Sequence, residues 1–168
     1  LLGLAERMDV SRLSMQVNHS EPRIIISRRP VEVTLGKYPI ALPADSFLQS
    51  STEAQQRLTD FVLAHIPCEG KILDLFSGIG TYSFPMTEAH EVHAVESHAG
   101  MVSHLRKAAK KHQLDETLTA ECRDLFHAPL SRKELSGFDA IVINPPRPGA
   151  KKQVEEMAAS SVNRVVMI

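Results

Sequence analysis

Polar side chains stand at the ends of apolar runs that have strand character. Asp74 precedes the glycine turn of "LDLFSGIGTYSF", and Glu96 ends "EVHAVE". Asp124 follows "LTAEC", and Asn144 ends "FDAIVIN". In open parallel sheets the ligand binds at the carboxyl ends of the strands, near the point where the strand order reverses. These side chains are therefore predicted to line one binding cleft and to exchange hydrogen bonds with a ligand.

The glycine turn indicates which ligand this is. Gly78 and Gly80 permit positive φ and a close approach of the ligand to the backbone. A dinucleotide fingerprint would have a third glycine where this chain has Ser83, and the P-loop pattern GxxxxGK[ST] is absent. The negative charge of Asp74 disfavours a pyrophosphate and favours a ligand with a positive group. S-adenosylmethionine carries an ammonium and a sulfonium and no phosphate, so we expect it rather than a nicotinamide dinucleotide.

Two further carboxylates have expected roles toward such a ligand. Glu96 lies about 20 residues beyond the start of the turn, where an acidic residue commonly binds ribose hydroxyls. Asp124 is placed to receive the amino group of adenine. Each group also has a purely structural interpretation: Asp74 as a turn cap, Glu96 as a solvated strand end, and Asp124 as the cap of the next segment. Their convergence favours the adenosine ligand.

The first 46 residues predict short strands, in contrast to the alternating strands and helices of the later part of the chain. Residues 1–46 contain "SRLSMQV", "RIIIS", "VEVTLG" and "YPIAL", short β-branched runs that predict a small antiparallel β element. A helix is predicted over 50–66, begun by a capping box of Ser50 and Glu53.

Strands and helices then alternate. The strands are predicted in "KILDLF", "EVHAVE", "LTAEC", "FDAIVIN" and "RVVMI", with helices after Gly80, in "HAGMVSHLRKAAKKHQ" and in "AKKQVEEMAAS". This pattern predicts an α/β fold, a Rossmann-like doubly wound and mostly parallel sheet, over residues 47–168. Because the chain opens and stops within predicted elements, we expect it to be a piece of a longer protein.

Composition narrows the class of protein. Hydrophobic residues make up 43%, charged residues 23%, and the formal net charge is -1, which is typical of a globular protein without a strongly basic surface. No apolar run approaches the roughly 20 residues that span a bilayer, and no signal peptide is visible. We therefore expect a cytoplasmic monomer with no membrane contact. The spacing of the two cysteines and of His90, His93 and His98 predicts no metal site.

Several motifs taken together are similar to those of a known family. "SFLQ" before a helix, then "DLFSGIGTYSFPM", "HAVE", "RDLF", "NPPRPGA" and "RVVMI" resemble the uracil-C5 RNA methyltransferases, most closely the branch acting on 23S ribosomal RNA. The resemblance runs from about Arg23 to Ile168. It implies a class I methyltransferase fold, S-adenosylmethionine as cofactor and an RNA substrate, expected to be ribosomal.

The resemblance also implies roles for single positions. Gln49 matches the glutamine that contacts the methionine part of the cofactor, and Phe76 and Thr81 match further cofactor positions. Glu96 matches the ribose acceptor and Asp124 the adenine-side position. With the residues argued above, the candidate cofactor site is Gln49, Asp74, Phe76, Gly78, Gly80, Thr81, Glu96, Asp124 and Asn144, and the candidate substrate corner is Pro145, Pro146 and Arg147.

The sequence departs from the family pattern at Ser51, Ser77 and Asn144, where the family often has Asn, Cys and Asp. In the family a cysteine directly after the strand matched by "RVVMI" attacks C6 of uracil, which makes C5 nucleophilic, and a later glutamate removes the C5 proton. Neither Cys68 nor Cys122 lies at that position. We therefore expect no catalytic residue within this chain, and donor binding without RNA methylation. An RNA-binding barrel and a 4Fe–4S cluster, which resembling proteins carry, are expected only in a longer protein.

Other interpretations stay open at this point. Asn-Pro-Pro also begins the motif of amino-group methyltransferases, although those usually have an aromatic residue where this chain has Arg147. A non-catalytic RNA-binding module of the same fold is a third possibility, with "SRRP" and "LRKAAKK" as candidate phosphate contacts. For Arg147 itself the alternatives are a phosphate contact and a buried salt bridge.

Overall fold

The computed structural model describes residues 1–18, 20, 22–44, 46–49 and 51–168. Its first part consists of α1 (Leu2–Arg7) and two antiparallel pairs, β1 (Arg12–Met15) with β2 (Arg23–Ser27) and β3 (Glu32–Leu35) with β4 (Tyr38–Ala41). The two strand pairs confirm the antiparallel element predicted over residues 1–46. The short helix α1 was not predicted, because six residues are too few to show a helical period.

The helix after this element and the helices of the repeat follow in chain order: α2 (Thr52–His65), α3 (Ser83–Met86), α4 (Ala99–Lys111), α5 (Arg132–Leu135) and α6 (Lys151–Ala158). The side chain of Ser51 caps α2 by accepting a hydrogen bond from the N–H of Ala54. The capping box predicted at Ser50 lies outside the described residues. The segment after Gly80 forms only the single turn α3, and α5, which has its own capping box at Ser131, was not predicted.

Five parallel strands form the central sheet: β5 (Gly70–Leu75), β6 (His90–Glu96), β7 (Leu118–Cys122), β8 (Ala140–Ile143) and β9 (Val165–Met167). Their order is β7-β6-β5-β8-β9, so the chain builds outward from β5 in one direction and then returns to the other side. The strand order therefore reverses between β5 and β8. This is the doubly wound sheet that the sequence predicted, and the reversal is where such sheets bind ligands.

The two faces of the sheet carry different side chains, because neighbouring residues of a strand point to opposite faces. Ile72 and Val142 belong to a core cluster that includes residues of α2, α4 and the β3–β4 pair. Leu73 and Ile141 belong to a second cluster with residues of α5 and α6. The β3–β4 pair thus shares a core with the sheet, and the boundary predicted near residue 46 stays a prediction. No helix among the described residues is long and apolar enough to cross a bilayer.

The turn α3 packs against the β3–β4 pair within the core. Phe84 is 0% exposed, and its ring centroid lies 5.9 Å from that of Tyr38 in β4. We expect Phe84→Ala to lower the free energy of unfolding by about 3–5 kcal/mol, because it leaves a cavity in the core. Urea unfolding measures this loss. Phe61→Ala is the control: Phe61 is 47% exposed on α2 and should lose less than about 1 kcal/mol. Equal losses would contradict the packing of α3.

Candidate functional site

The backbone turns sharply directly after β5. Phe76 has φ of 60°, Gly78 of 57° and Gly80 of 88°. A side chain on Gly80 would come within 3.0 Å of the Phe84 ring, whereas nothing lies within 4 Å of the corresponding point at Gly78. The Gly78 backbone therefore faces open space at the end of the sheet. Positive φ is rare for a bulky residue such as Phe76, and strain of this kind concentrates at functional sites.

Asp74 is an ionisable group within an apolar layer. Its side chain is 0% exposed and its neighbours on the adjoining strands are Ala94 and Val142. The Ser83 hydroxyl donates a hydrogen bond to Oδ2 of Asp74, while Oδ1 has no partner among the described residues. Burial raises the pKa of Asp74 to about 7, and the hydrogen bond from Ser83 opposes that rise. A buried carboxylate with one free oxygen is costly, and such a group is typical of a binding site.

Glu96 ends β6 beside the glycine turn. Its Oε2 accepts a hydrogen bond from the Gly78 N–H at 3.0 Å, and its Oε1 accepts from the Ser97 hydroxyl and the His98 N–H. A carboxylate can accept about four hydrogen bonds, so Glu96 retains capacity for a ligand donor. The structure therefore brings Glu96 and the glycine turn together.

Two phenylalanine rings meet on the other side of the turn. The ring of Phe76 lies 5.6 Å, between centroids, from that of Phe126, which is 40% exposed. Asp124 accepts hydrogen bonds from the Phe126 N–H at 2.9 Å and from the His127 ring at 2.7 Å. The bond from His127 holds the pKa of Asp124 below its ordinary value. Asp124 thus caps its own loop, the structural role considered above, and it does so at the rim of the site.

Gln49 reaches the site from the segment before α2. It is partly buried, and its side chain lies next to the buried Tyr82 hydroxyl. Burial raises the pKa of Tyr82, and Gln49 opposes the rise. Gln49 also lines a groove of about 300 Å³ with Thr34 and Gln55. Thr81 lies partly buried in the glycine turn beside Tyr82.

The corner after β8 lies next to the end of β5. The N–H of Asn144 donates to the carbonyl oxygen of Leu75 at 3.3 Å. Pro145 is partly buried and Pro146 is exposed, with the Pro146 carbonyl accepting from the N–H of Gly149 at 2.8 Å in a tight turn. This arrangement holds the Asn144 backbone against the strand that carries Asp74.

Arg147, the last residue predicted for this corner, is exposed. The alternative that it forms a buried salt bridge is therefore wrong. Its guanidinium stands in solvent at the tip of the turn, beside the strand ends.

Another hollow lies at the amino ends of the strands. It has a volume of about 400 Å³ and is lined by Lys71, Glu91, His93 and Phe138, among others. Several of its polar groups are paired with one another: Lys71 with Glu91 at 3.2 Å, and His93 with Thr119 at 2.8 Å. The carboxyl ends of the strands differ, because Oδ1 of Asp74 and the Ser77 hydroxyl are buried without partners in the described part of the chain. Unpaired buried polar atoms favour the carboxyl ends as the ligand site.

Comparison with known proteins assigns the chain to a family. The family model described as "Methyltransferase small domain" matches residues 51–165, which include β5 to β8 and the start of β9. The chain belongs to this family. Residues 51–165 of this methyltransferase domain thus carry the glycine turn, Asp74, Glu96 and Asn144, whereas Gln49 precedes the matched range.

Relatives and solved structures refine this picture of the methyltransferase domain. An uncharacterized RNA methyltransferase of Brucella melitensis is 37% identical over 168 residues, 100% of this chain and 39% of the relative. A 23S rRNA (uracil(1939)-C(5))-methyltransferase of Dichelobacter nodosus is 32% identical over 128 residues, 74% of this chain and 30% of the relative. The chain thus spans about two fifths of the length of the first of these relatives.

A solved structure shares the fold of the methyltransferase domain. The Pyrococcus abyssi tRNA (uracil-54, C5)-methyltransferase in complex with S-adenosyl-L-homocysteine superposes with a TM-score of 0.74 and 19% sequence identity, over 94% of this chain and 40% of that protein. At this level of identity the likeness establishes the fold, and it agrees with the strand order described above.

Sequence reasoning missed three side chains of the site. Ser83 was considered only as the absent third glycine, and Tyr82 and Phe126 were not considered at all. A serine within the apolar run "YSFPM" was the one available signal for Ser83, since a polar residue in a buried segment usually has a partner. The partners themselves depend on the path of the glycine turn, which no periodicity describes.

Because Asp74 is buried, the stability of the fold should depend on pH. Because the pKa of Asp74 is about 7 in the folded protein, against an ordinary value of 3.8, folding favours the protonated form. The contribution of Asp74 to the free energy of unfolding is therefore most favourable below pH 3.8, and this advantage is lost as the pH rises through about 7. With about 1.4 kcal/mol for each pKa unit, the ionised group costs about 4 kcal/mol.

We therefore expect Asp74→Asn to raise the melting temperature of the ligand-free protein by several degrees at pH 8, and by much less at pH 5. Thermal unfolding at the two pH values measures the difference. Asp115→Asn, at an exposed position, is the matched control and should change neither value. A variant that unfolds earlier than wild type at pH 8 would contradict the assignment of Asp74 as an unpaired buried charge.

Proposed function

We propose that this chain holds S-adenosylmethionine for the methylation of RNA at C5 of a uridine. The observation that carries the proposal is Asp74, a fully buried carboxylate at the reversal of strand order, with Oδ1 free and no cation among the described groups that affect its pKa. A ligand with an ammonium group would supply the missing positive charge.

The residues around Asp74 fit the other parts of this ligand. Tyr82 and Gln49 bring a hydroxyl and an amide to the end of the site that Asp74 defines. Glu96 retains capacity to accept from ribose hydroxyls, and the open space at Gly78 lets a ligand approach the backbone. When bound, S-adenosylmethionine supplies an electrophilic methyl group on its sulfonium.

The adenine end is assigned to the rim formed by Asp124 and Phe126. The ring of Phe126 is 40% exposed beside the ring of Phe76, and an exposed apolar ring next to a carboxylate matches a flat heterocycle with an amino group. In the ligand-free protein Asp124 bonds its own loop. To receive the amino group of adenine, Asp124 would use an acceptor position that these hydrogen bonds leave free, or its loop would rearrange slightly.

The RNA substrate is supported by the names of the relatives and by the exposed Arg147. Relatives that align with this chain are named RNA methyltransferases. Arg147 is exposed at the corner after β8, where a guanidinium can meet a phosphate. The uridine C5 target is supported by the sequence resemblance and by the name of the Dichelobacter nodosus relative.

The chain's own residues account for donor binding. Cys122 ends β7, which lies two positions from β5 and three from β8 in the sheet, and its thiol donates to the Ser97 carbonyl at 3.4 Å. Cys68 precedes β5 and is exposed. Neither thiol is assigned the attack on uracil, because neither follows β8 or β9 at the Asn144 corner.

One observation favours a second candidate, an enzyme that methylates an amino group of a base. Asn144 and the two prolines after it match the start of that motif, and Asn144 lies against β5 at the donor site. The exposed Arg147 stands where such enzymes usually place an aromatic ring to stack on the base, and this difference favours the uridine target.

Calorimetric titration with S-adenosylhomocysteine tests donor binding. We expect the wild-type protein to bind it, and Glu96→Ala to bind it about 10- to 100-fold more weakly, because hydrogen bonds to a charged group contribute about 1.5–3 kcal/mol. Glu91→Ala is the matched control, since Glu91 lies on the same strand and is exposed. Equal affinities for wild type and Glu96→Ala would remove the ribose assignment.

The target is tested by deleting the gene in its host. Nucleoside mass spectrometry of total RNA should then show the loss of one 5-methyluridine, restored by the wild-type gene on a plasmid. Loss of a base methylated on an amino group would support the second candidate instead. An unchanged nucleoside pattern in all RNA fractions would favour a non-catalytic module of the same fold.

A further inference from the structure

Ser83 is a buried residue whose hydroxyl has one described partner, the carboxylate of Asp74. Its side chain is 0% exposed, and the hydroxyl donates to Oδ2 of Asp74. The second oxygen, Oδ1, is buried and has no partner among the described residues. Ser83 thus orients the carboxylate and leaves one oxygen available.

The surroundings of Asp74 hold its pKa near neutral pH, so that both protonation states are populated there. Its neighbours on the sheet are Ala94 on β6 and Val142 on β8, both apolar. Burial raises the pKa of Asp74 to about 7 and the negative charge of Glu96 adds to the rise, while the hydroxyl and backbone N–H of Ser83 oppose it. Tyr82, which precedes Ser83, is the other titratable group that faces this carboxylate. No cation of the described part of the chain acts on it.

We propose that Ser83 is a positioning residue that orients the carboxyl group of Asp74 through Oδ2 and leaves Oδ1 for the ammonium of the methyl donor, so that donor binding to the protonated form expels a proton from Asp74. The inference rests on the proposed donor site. The proton on the carboxyl group of the ligand-free protein passes to solvent, and the ammonium of the ligand takes its place as the positive partner. No bond within the donor changes in this step.

The affinity of the protein for the donor should therefore depend on pH. Below about pH 7 the ligand-free protein is mainly protonated at Asp74, so the dissociation constant should rise about tenfold for each further unit of pH decrease. Above this value the affinity should level off. Without the Ser83 hydroxyl the carboxylate loses its side-chain hydrogen-bond donor, and the pH above which the affinity no longer rises should be higher.

Calorimetry in buffers of different ionisation enthalpy tests the proton. S-adenosylhomocysteine, which carries the same ammonium, is titrated into the wild-type protein at pH 6 and pH 8.5 in a phosphate-type and an amine-type buffer. The buffer dependence of the heat gives the number of protons released. We expect release of close to one proton at pH 6 and no release at pH 8.5, where the α-amino group of the ligand instead begins to take up a proton on binding.

Variants separate the role of Ser83 from a general loss of packing. Ser83→Ala should bind at least tenfold more weakly than wild type at pH 7.5 and approach wild type at pH 9. Thr87→Val is the matched control, because Thr87 is also buried near α3 but its hydroxyl donates to the Phe84 carbonyl at 2.7 Å. It should keep the wild-type pH profile even if it melts earlier. Asp74→Asn should bind weakly at every pH and release no proton.

A second readout needs no ligand. The carbon-13 chemical shift of the Asp74 carboxyl carbon, followed against pH, should show a midpoint near neutrality in wild type and a higher midpoint in Ser83→Ala. Failure of wild type to bind at any pH would overturn both the donor site and this inference. Binding at pH 8.5 with no proton released at pH 6 would overturn this inference alone. Identical pH profiles for wild type and Ser83→Ala would remove the role of Ser83.

Discussion

The carboxylate of Asp74 is the constraint on which the site depends. It occupies a position in the central strand between Ala94 and Val142, where an apolar side chain would stabilise the sheet. Transferring a charge into such surroundings is costly unless a partner compensates it. The Ser83 hydroxyl compensates one oxygen, and the other is buried without a partner among the described residues. Stability given up at a functional site is a common feature of binding proteins.

The geometry of the glycine turn follows from this constraint. The chain must leave β5, expose its backbone, and return so that Ser83 stands over Asp74. Positive φ at Phe76, Gly78 and Gly80 makes that return possible within nine residues of Asp74. The same turn presents the Gly78 N–H to Glu96 on the neighbouring strand. Residues of this one turn therefore donate hydrogen bonds to the carboxylates of two strands, Asp74 on β5 and Glu96 on β6.

Much of the fold could be predicted from local pattern. The strands β5, β8 and β9 are largely apolar runs, and β6 and β7 alternate buried apolar residues with polar ones. Both patterns are recognisable in the sequence as strands. The elements that were missed or shortened are α1, α3 and α5, with six residues in the first and four in each of the others. Helices this short are held by tertiary contacts and capping, because nucleation is unfavourable without them.

The amino-acid sequence by itself determined which polar groups stand at the strand ends, because a parallel sheet aligns those ends whatever the loops do. Only the tertiary structure decided which of these groups are satisfied. Asp124 turned out to bond its own loop, Arg147 to be exposed, and Asp74 to keep one free oxygen among the described residues. The reason is that hydrogen bonds between loops depend on backbone paths over many residues, and no periodic pattern in the sequence records those paths.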